Sequence, residues 1–516
     1  MAGIKKKKTE KPQKTHIRKA GVLMNISSLP GPFGIGVFGE EAFYFVDKLA
    51  EMKFGFWQIL PLGNLDYGNS PYASDSAFAG NYRYIDPRQL FEEGLLVEEE
   101  LEECKYQGSP YTVDYGFVYE SRGIMLKKAF ANYKALSEED AKPIAAEIRS
   151  FVRKNGWIKK YAEFTARKNL CGMVSWWEWS SMPKPGKDEL KYEAEFVTFV
   201  QYLFFKQWDK VKKYANSKGI KIIGDMPVYV AMDSCDVWAN PELFQLDEDG
   251  IKPLQVAGVP PDYFSEDGQP WGNPLYDWKK MKETGYKWWG DRLEAALKMY
   301  DVLRIDHFRG LASYWAVPAG DKTARGGHWE EGPGQDLFDA VKDRYKNGEI
   351  LAEDLGVYGQ DVVDLLNSTG FAQMRVIQFA FDETRDSVHL PQNYPVNSIA
   401  YVGTHDNNTM LGWLYDATPE ERDFALKYCG FRDGNWGEGG YYSKSCRAFI
   451  EAVWKSPARY AVVAVQDMCG FGSDTRMNMP GVEELNWRYR ATKETLDSID
   501  TAYFAEINDI FGRICD

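Results

Sequence analysis

The sequence predicts an α/β fold, namely a (β/α)8 (TIM) barrel with a large mainly helical insertion and irregular loop insertions at its C-terminal face. Eight short β-rich runs are separated by helical or loop sequence, as this fold requires. Three acidic segments, 303–309, 351–355 and 402–408, stand at the ends of such runs, as expected at a barrel rim, because a strand interior cannot bury an unpaired charge. The runs cover residues 21–26, 56–62, 220–225, 302–306, 349–353, 375–380, 398–403 and 461–466.

Two of the connections between these runs are too long for simple βα units. Residues 88–218 are rich in helix-periodic charged and apolar residues and predict the mainly helical insertion. Residues 232–279 are rich in glycine, proline and aromatic residues, which predicts an ordered but irregular loop region over one barrel face. We therefore expect one domain over 20–516. The preceding segment 1–19, with four consecutive lysines at 5–8, is expected to be a disordered basic tail, with organelle targeting or polyanion binding as the alternatives.

Composition excludes several classes of protein. A net charge of −14 argues against nucleic acid or an anionic membrane surface as the main partner. No apolar run approaches the roughly 20 residues of a membrane span, and the N-terminus lacks the apolar core of a signal peptide. The seven cysteines are scattered and never spaced as CxxC, so neither a disulfide framework nor a zinc site is indicated. We expect a cytoplasmic protein without a metal or other cofactor.

The acids at or just beyond the ends of the fourth, fifth and seventh runs are Asp306, Glu353 and Asp406. Cleavage of a glycosidic bond needs one carboxylate at the anomeric carbon and one protonated carboxyl at the leaving oxygen. Aromatic residues make up 15% of the chain, which fits a carbohydrate site because rings stack on the apolar faces of sugars. Each acid alone could belong to a turn or a structural ion pair, but three at one barrel rim favour sugar chemistry.

Further motifs occur in order along the chain, and together with the acidic segments they resemble the amylomaltases of the α-amylase clan, also called 4-α-glucanotransferases or disproportionating enzymes. The motifs are SSLP at 27–30, NSPY at 69–72, SAFAGN at 76–81, GDMPVYV at 224–230, DVWANP at 236–241, VAGVPPDYF at 256–264, WGNPLY at 271–276 and RMNMPG at 476–481. The resemblance extends over nearly the whole chain from about Arg18.

The resemblance implies roles for the three acids in a retaining enzyme that transfers segments of α-1,4-glucans or maltooligosaccharides onto glucose or another maltooligosaccharide. Asp306 resembles the nucleophile that forms a covalent glucosyl intermediate. Glu353 resembles the general acid and base, which requires a raised pKa in the free enzyme. Asp406 resembles the third acid, which binds sugar hydroxyls and stabilises the oxocarbenium-like state.

Strand geometry adds expectations for the neighbours of these acids. Arg304 lies two residues before Asp306 on the same face of its strand, so it should contact that carboxylate and keep it ionised. Asp354 points to the opposite side if strand alternation continues, so we interpret it as structural. His307 is expected only to pack.

The resemblance also implies substrate ligands. Tyr72 and Trp271 would stack on sugar faces, although either ring could instead belong to the core. Asp225 would bind a sugar hydroxyl near the cleaved bond, and His405 would be a hydrogen-bonding neighbour of the third acid. Two further members of the expected set are Asp262 and Asn478.

Transfer rather than hydrolysis requires an acceptor held in attacking geometry while water is excluded. The loop at 247–271 is the expected lid. Val228 and Tyr229 stand where hydrolytic α-amylases carry an Asn-His pair, so the resemblance is to the transferase branch. A retaining α-glucan hydrolase and a catalytically silent glycogen- or starch-binding protein are the alternatives. We expect a monomer or a weak homo-oligomer.

Overall fold

The structure is a computed structural model that describes residues 17–64, 68–261, 265–356, 359–382, 384–482 and 484–514. These residues contain twelve strands: β1 (Lys19–Leu23), β2 (Phe56–Gln58), β3 (Lys221–Met226), β4 (Gln255–Val259), β5 (Gln269–Pro274), β6 (Val302–Ile305), β7 (Ser313–Pro318), β8 (His328–Glu331), β9 (Glu349–Ala352), β10 (Ala372–Val376), β11 (Ser398–Tyr401) and β12 (Tyr460–Ala464). Eight of them form a closed parallel barrel in the order β1-β12-β11-β10-β9-β6-β3-β2.

The α-helices of the same residues lie between and around the barrel strands. They are α1 (Glu40–Glu51), α2 (Pro87–Glu92), α3 (Glu98–Glu102), α4 (Tyr115–Ala135), α5 (Glu138–Lys154), α6 (Ile158–Leu170), α7 (Lys187–Ser217), α8 (Cys235–Ala239), α9 (Trp278–Glu283), α10 (Lys287–Met299), α11 (Gly334–Ala340), α12 (Lys342–Tyr345), α13 (Gln360–Thr369), α14 (Met410–Asp416), α15 (Pro419–Tyr428), α16 (Lys444–Lys455), α17 (Val465–Met468), α18 (Lys493–Asp497) and α19 (Thr501–Ile510). None of the described helices is long and apolar enough to cross a membrane.

The predicted barrel is confirmed, because each of the eight predicted runs contributes one barrel strand in the predicted order. Strand boundaries differ where backbone pairing stops before the apolar run does. The run at 375–380 leaves the sheet after Val376, whose last partner is Tyr401, and continues as a 3-10 turn over Ile377–Phe379. The run at 461–466 likewise turns into α17. The barrel strands are almost entirely buried, as expected for a parallel sheet covered by helices.

The connection between β2 and β3 carries α2 to α7, which is where the helical insertion was predicted. Its last helix, α7, leads directly into β3. The first barrel strand, β1, begins at Lys19, inside the range expected for the tail. The Arg18 guanidinium donates hydrogen bonds to the backbone carbonyls of Phe511, Trp454 and Ser456, so these two residues belong to the barrel. The rest of the expected tail, through residue 16, lies outside the described residues.

A four-stranded antiparallel sheet in the order β5-β4-β7-β8 was not anticipated by the sequence analysis. Two of its strands fall inside the region expected to be irregular. Their sequences, QVAGV and QPWGNP, contain glycine and proline, which are depleted in strands. Proline is tolerated here because β5 is an edge strand, where a missing N–H costs no ladder bond. The sheet is joined to the barrel by the short segment between β6 and β7, so it lies beside the barrel rim.

Candidate active site

Arg304 links two carboxylates at the rim of the barrel. The parallel register of β3 and β6 places Asp225 level with Arg304, and Asp306 follows two residues later on the same side. One arm of the guanidinium, Nη1, lies 2.5 Å from Oδ2 of Asp225, and the other, Nη2, lies 2.9 Å from Oδ1 of Asp306. The arginine side chain is only 4% exposed, so these charge-assisted bonds are shielded from water.

Asp306 is bonded to Arg304 yet remains accessible, with 27% of its side chain exposed. Desolvation in the cleft raises its pKa well above the usual value, and Arg304 opposes that rise. The charges of Asp225 and Glu353 raise the pKa further. Arg304 therefore contacts Asp306 as strand alternation predicts, but it does not by itself bring the pKa of this carboxyl down to an ordinary value.

Glu353, which follows β9 directly, is fixed by backbone donors. Its Oε2 accepts a hydrogen bond from the N–H of His307 at 2.8 Å, and its Oε1 accepts one from the N–H of Leu355 at 2.7 Å. Burial raises the pKa of Glu353, while Arg304 and the two N–H groups act in the opposite direction. A raised pKa is what a general acid requires at neutral pH.

His307 does more than the packing expected of it. Its backbone is left-handed, with φ of 50°, and this turn directs its N–H toward Glu353. Left-handed backbone is uncommon outside glycine, although histidine tolerates it better than most residues. Burial lowers the pKa of the His307 ring to about 3, so the ring is neutral near pH 7.

Asp354 points away from the cleft, as strand alternation predicts. Its Oδ1 accepts a hydrogen bond from the N–H of Met374 at 2.7 Å, and its Oδ2 lies 3.2 Å from Nη1 of Arg375. The Asp354 side chain is fully buried. The two consecutive acids therefore face different environments, and only Glu353 faces Asp306 and Arg304.

Asp406 lies on the loop after β11 and is held on several sides. Its Oδ1 accepts a hydrogen bond from Nδ2 of Asn478 at 2.6 Å, and its Oδ2 lies 3.3 Å from Nε2 of His405. The Arg476 guanidinium donates to its backbone carbonyl at 2.6 Å. Burial lowers the pKa of His405, which favours a neutral ring beside the Asp406 carboxylate. The Asp406 side chain is 44% exposed and can reach a ligand.

Tyr72 joins the Asp225 and Asp406 parts of the site. Its hydroxyl donates a hydrogen bond to Oδ2 of Asp225 at 2.7 Å. Its ring stacks on His405, with centroids 5.2 Å apart and planes 13° from parallel. The ring of Trp487 lies 5.9 Å from both of these rings. Tyr72 is only partly buried, so its ring combines packing with a place at the cleft.

Trp271 comes to the same cleft from β5 of the antiparallel sheet. Its ring meets the His307 ring edge-on at 4.8 Å, and the residue is 38% exposed, which is unusual for a tryptophan in a core. The structure therefore brings together nine of the ten sequence-predicted site residues. Asp262, the tenth, lies outside the described residues. Among the described His, Cys, Asp and Glu side chains, no three are grouped as a metal site would need.

Several residues around the site were missed by the sequence analysis. Arg476 and Trp487 carry no acidic or strand signal, although Arg476 opens a motif that resembles the family. Asp467 could have been found, because it directly follows the eighth run, and the three predicted acids likewise stand at or just beyond the ends of their runs. It is buried, its Oδ1 accepts a hydrogen bond from the N–H of Met410 at 2.6 Å, and burial raises its pKa to about 7. Asp467 thereby holds the start of α14, just after the Asp406 loop.

The chain is similar to known proteins over most of its length. The family described as 4-alpha-glucanotransferase matches residues 24–495. A 4-alpha-glucanotransferase of Clostridium butyricum is 41% identical over 503 residues, covering 95% of this chain and 100% of the relative. One of Thermus thermophilus is 43% identical over 485 residues, covering 92% and 94%.

A solved structure, amylomaltase from Streptococcus agalactiae in complex with acarbose, superposes with a TM-score of 0.89. It is 40% identical, and the match covers 96% of this chain and 100% of that one. The family match spans most of the sequence and includes the segments that carry the three acids. This chain therefore belongs to the 4-alpha-glucanotransferase family.

Proposed function

We propose that this protein is a retaining 4-alpha-glucanotransferase that moves α-1,4-glucan segments onto glucose or another maltooligosaccharide. The observation that carries the proposal is the Arg304 fork between Asp225 and Asp306, facing a Glu353 whose pKa is raised. This set supplies a carboxylate for the anomeric carbon and a proton for the leaving oxygen, as a double displacement requires.

In the first step, a carboxylate oxygen of Asp306 attacks the anomeric carbon, and the glycosidic bond breaks. The leaving oxygen takes the proton of Glu353, so the shortened glucan departs with a free 4-hydroxyl. The donor segment is then held as a β-linked ester of Asp306. Breaking the pairing between Asp306 and Arg304 is unnecessary, because Nη2 bonds Oδ1 and leaves Oδ2 available for attack.

In the second step, the ionised Glu353 removes the proton from the 4-hydroxyl of an acceptor sugar. That oxygen attacks the anomeric carbon from the face that the first leaving group vacated, and the ester bond to Asp306 breaks. Two inversions give net retention of the α configuration. Glu353 ends protonated and Asp306 ionised, which is the starting state.

The remaining site residues are proposed as ligands of the donor sugar. Asp406, oriented by Asn478 and His405, would bind hydroxyls and stabilise positive charge at the ring. Tyr72 and Trp271 would offer ring faces or edges to the sugar. Asp262 lies outside the described residues, so its role as a ligand stays a prediction.

A retaining hydrolase would use the same acids, so the choice between the two rests on the access of water. The loop at 247–271 is the proposed lid. In support, this segment contains β4 and the start of β5, which carries Trp271. The Trp271 ring contacts His307, whose N–H bonds Glu353. An ordered sheet edge at this position can hold an acceptor and displace water at the same time.

Incubation of the purified protein with maltotriose tests the proposal. We expect glucose together with a ladder of longer maltooligosaccharides, resolved by size, and almost no net gain in reducing ends. A steady rise in reducing ends without longer products would assign the protein to the hydrolases. Binding of maltotriose without any new product would instead identify a glucan-binding protein.

The setting of the enzyme is also a proposal. Six described cysteines are free, and five of them are buried, which suits a reducing cytoplasm. The net charge of −14 supports maltooligosaccharides and α-1,4-glucans, rather than nucleic acid or membrane, as partners. We propose a monomer or weak homo-oligomer, which sedimentation of the purified chain would test.

A further inference from the structure

Trp487 contacts two aromatic residues of the candidate donor site, Tyr72 and His405. Its ring centroid is 5.9 Å from Tyr72 and 5.9 Å from His405, with interplanar angles of 45° and 39°. Tyr72 in turn bonds Asp225, and His405 lies against Asp406. The Trp487 indole therefore packs against both rings, and these rings contact Asp225 on one side of the site and Asp406 on the other. Trp487 itself is 7% exposed, so it does not form part of the open cleft surface.

The backbone of Trp487 adopts a conformation that large side chains rarely take. Its φ is 66°, in the left-handed region, where a bulky residue is a genuine outlier. Such strain persists only where surrounding contacts enforce it, and it concentrates at functional sites. Two hydrogen bonds enforce it here. The N–H of Trp487 donates to the carbonyl of Met477 at 2.7 Å, and its carbonyl accepts from the hydroxyl of Tyr115 at 2.8 Å.

Tyr115 is the first residue of α4, so this second bond comes from the helical insertion. The neighbouring backbones also pair. The N–H of Val113 donates to the carbonyl of Arg488 at 2.8 Å, and the N–H of Arg490 donates to the carbonyl of Tyr111 at 3.0 Å. The segment that enters α4 therefore runs along the segment that carries Trp487. The contact is continuous from the insertion to the rings at the donor site.

We propose that Trp487 is a positioning residue, which keeps the Tyr72 and His405 rings in place for the donor sugar, and that Tyr115 couples this function to the helical insertion. The inference rests on the proposed transferase function. The helical insertion would then affect catalysis through Tyr115 and the packed rings of Trp487, Tyr72 and His405. Trp487 acts through its two neighbours and touches no reacting atom.

Replacement of the indole tests the positioning role. Trp487→Leu keeps apolar volume but removes the ring, whereas Trp487→Phe retains a ring that can still pack on both neighbours. Each variant is titrated with a fluorinated glucosyl fluoride that traps the Asp306 ester, which gives both the fraction of competent sites and the trapping rate. We expect about one trapped sugar per chain in both variants. The trapping rate per site should fall about tenfold or more in Trp487→Leu and less than about threefold in Trp487→Phe.

The donor dependence distinguishes positioning from loss of acid catalysis. A displaced donor sugar should slow glucosyl fluoride and maltotriose by the same factor, because both place a glucose unit at the same carboxylate. The matched control is Trp454→Leu. Trp454 is a buried tryptophan of α16 whose ring N–H bonds Asn508, so this substitution should lower Tm without changing the rate per trapped site. A wild-type rate per site in Trp487→Leu would overturn the proposal. If the wild-type protein formed no transfer products from maltotriose, the proposed function itself would be refuted.

Tyr115→Phe tests the connection to the insertion, since it removes only the hydroxyl that bonds the Trp487 carbonyl. We expect a smaller reduction of the trapping rate per site, about twofold to fivefold, with no change in the number of sites. In the Tyr115→Phe/Trp487→Leu double variant, the loss should not exceed that of Trp487→Leu alone. Multiplicative losses, or an unchanged rate in Tyr115→Phe, would overturn the coupling.

Discussion

Arg304 and Asp306 form an ion pair in which Nη2 and Oδ1 are 2.9 Å apart, and the second arm of the same guanidinium bonds Asp225. Only a planar fork can serve both carboxylates at once. Lysine offers a single point charge and cannot bridge them. Arg304→Lys should therefore fold but reduce kcat/KM for maltotriose by about 100-fold or more.

Arg459→Lys is the matched control for this substitution. Its Nη1 lies 3.2 Å from Oε1 of Glu349, the first residue of β9, at the opposite end of the barrel from the acids. We expect kcat/KM to stay within about twofold of wild type there. If Arg304→Lys and Arg459→Lys were equally active at the same folded fraction, the double contact of Arg304 with Asp225 and Asp306 would have no effect on catalysis.

The pH dependence should report the influence of Asp225 on Asp306. Asp306 attacks only when ionised, so kcat/KM falls as the pH drops through its pKa. The Asp225 charge raises that pKa, and Arg304 opposes the rise. Asp225→Asn removes one negative charge and leaves Arg304 to Asp306 alone, so the acid limb should move to lower pH even though overall activity is reduced.

The measurement is kcat/KM for glucosyl fluoride across the acid range. This donor needs little protonation of its leaving group, which keeps the titration of Glu353 out of the acid limb. An acid limb that stays in place or moves to higher pH would mean that Asp306 does not sense Asp225.

Strand alternation explains why much of the site was predictable. Arg304, Asp306 and Asp354 occupy fixed sides of parallel strands, so local sequence determines which of them meet. The Trp487 stack was not predictable in this way. It depends on a left-handed backbone and on contacts between residues about 400 positions apart in the chain, neither of which leaves a periodic signal.

Two other features were hidden for related reasons. The bond from His307 to Glu353 is made by a backbone N–H, and a backbone donor has no signature in the choice of side chain. The antiparallel sheet was missed because Gly272 and Pro274 within β5 are typical of loops, and only an edge position makes them acceptable in a strand.

The nucleophile can be identified chemically. Asp306→Asn should retain the fold, because an amide can still accept the bond from Arg304, but turnover should fall by about three orders of magnitude or more, since an amide cannot form the glycosyl ester. Mass spectrometry of wild-type protein trapped with a fluorinated glucosyl donor should locate the adduct on Asp306. An adduct on Asp406 or Glu353 would require the roles to be reassigned.

Glu353→Gln should separate the acid from its neighbour Asp354. The variant lacks a proton donor, so maltotriose should fail as a donor while glucosyl fluoride still forms the ester. Release of the sugar to an acceptor would then stall for lack of a base. Azide needs no base and should restore turnover, giving β-glucosyl azide.

Asp354→Asn is the comparison for this experiment. It removes the buried carboxylate that lies 3.2 Å from Arg375 and accepts the N–H of Met374, so the protein should be less stable, with no rescue by azide. Rescue of Asp354→Asn and not of Glu353→Gln would move the catalytic carboxyl by one residue.

Asp467 should make stability depend on pH. Its folded-state pKa of about 7 lies above the ordinary value of 3.8, so the folded chain binds an extra proton between about pH 4 and pH 7. Stability attributable to this group is present below pH 4 and is lost as the pH rises to 7. Asparagine cannot ionise, yet its Oδ1 can still accept the bond from Met410. Asp467→Asn should therefore be more stable than wild type at pH 8, by up to about 4 kcal/mol.

The difference in Tm between Asp467→Asn and wild type, followed by calorimetry from pH 4 to pH 8, gives the sign directly. We expect it to be near zero at pH 4 and to grow as the pH rises, because only the wild-type chain must bury a charge at high pH. Asp433→Asn is the control. Asp433 is an exposed acid whose pKa is lowered, mainly by the N–H of Asn435, so its substitution should change Tm little at any pH and, if at all, downward at pH 8. A Tm difference for Asp467→Asn that is constant with pH would show that Asp467 does not titrate between pH 4 and pH 8.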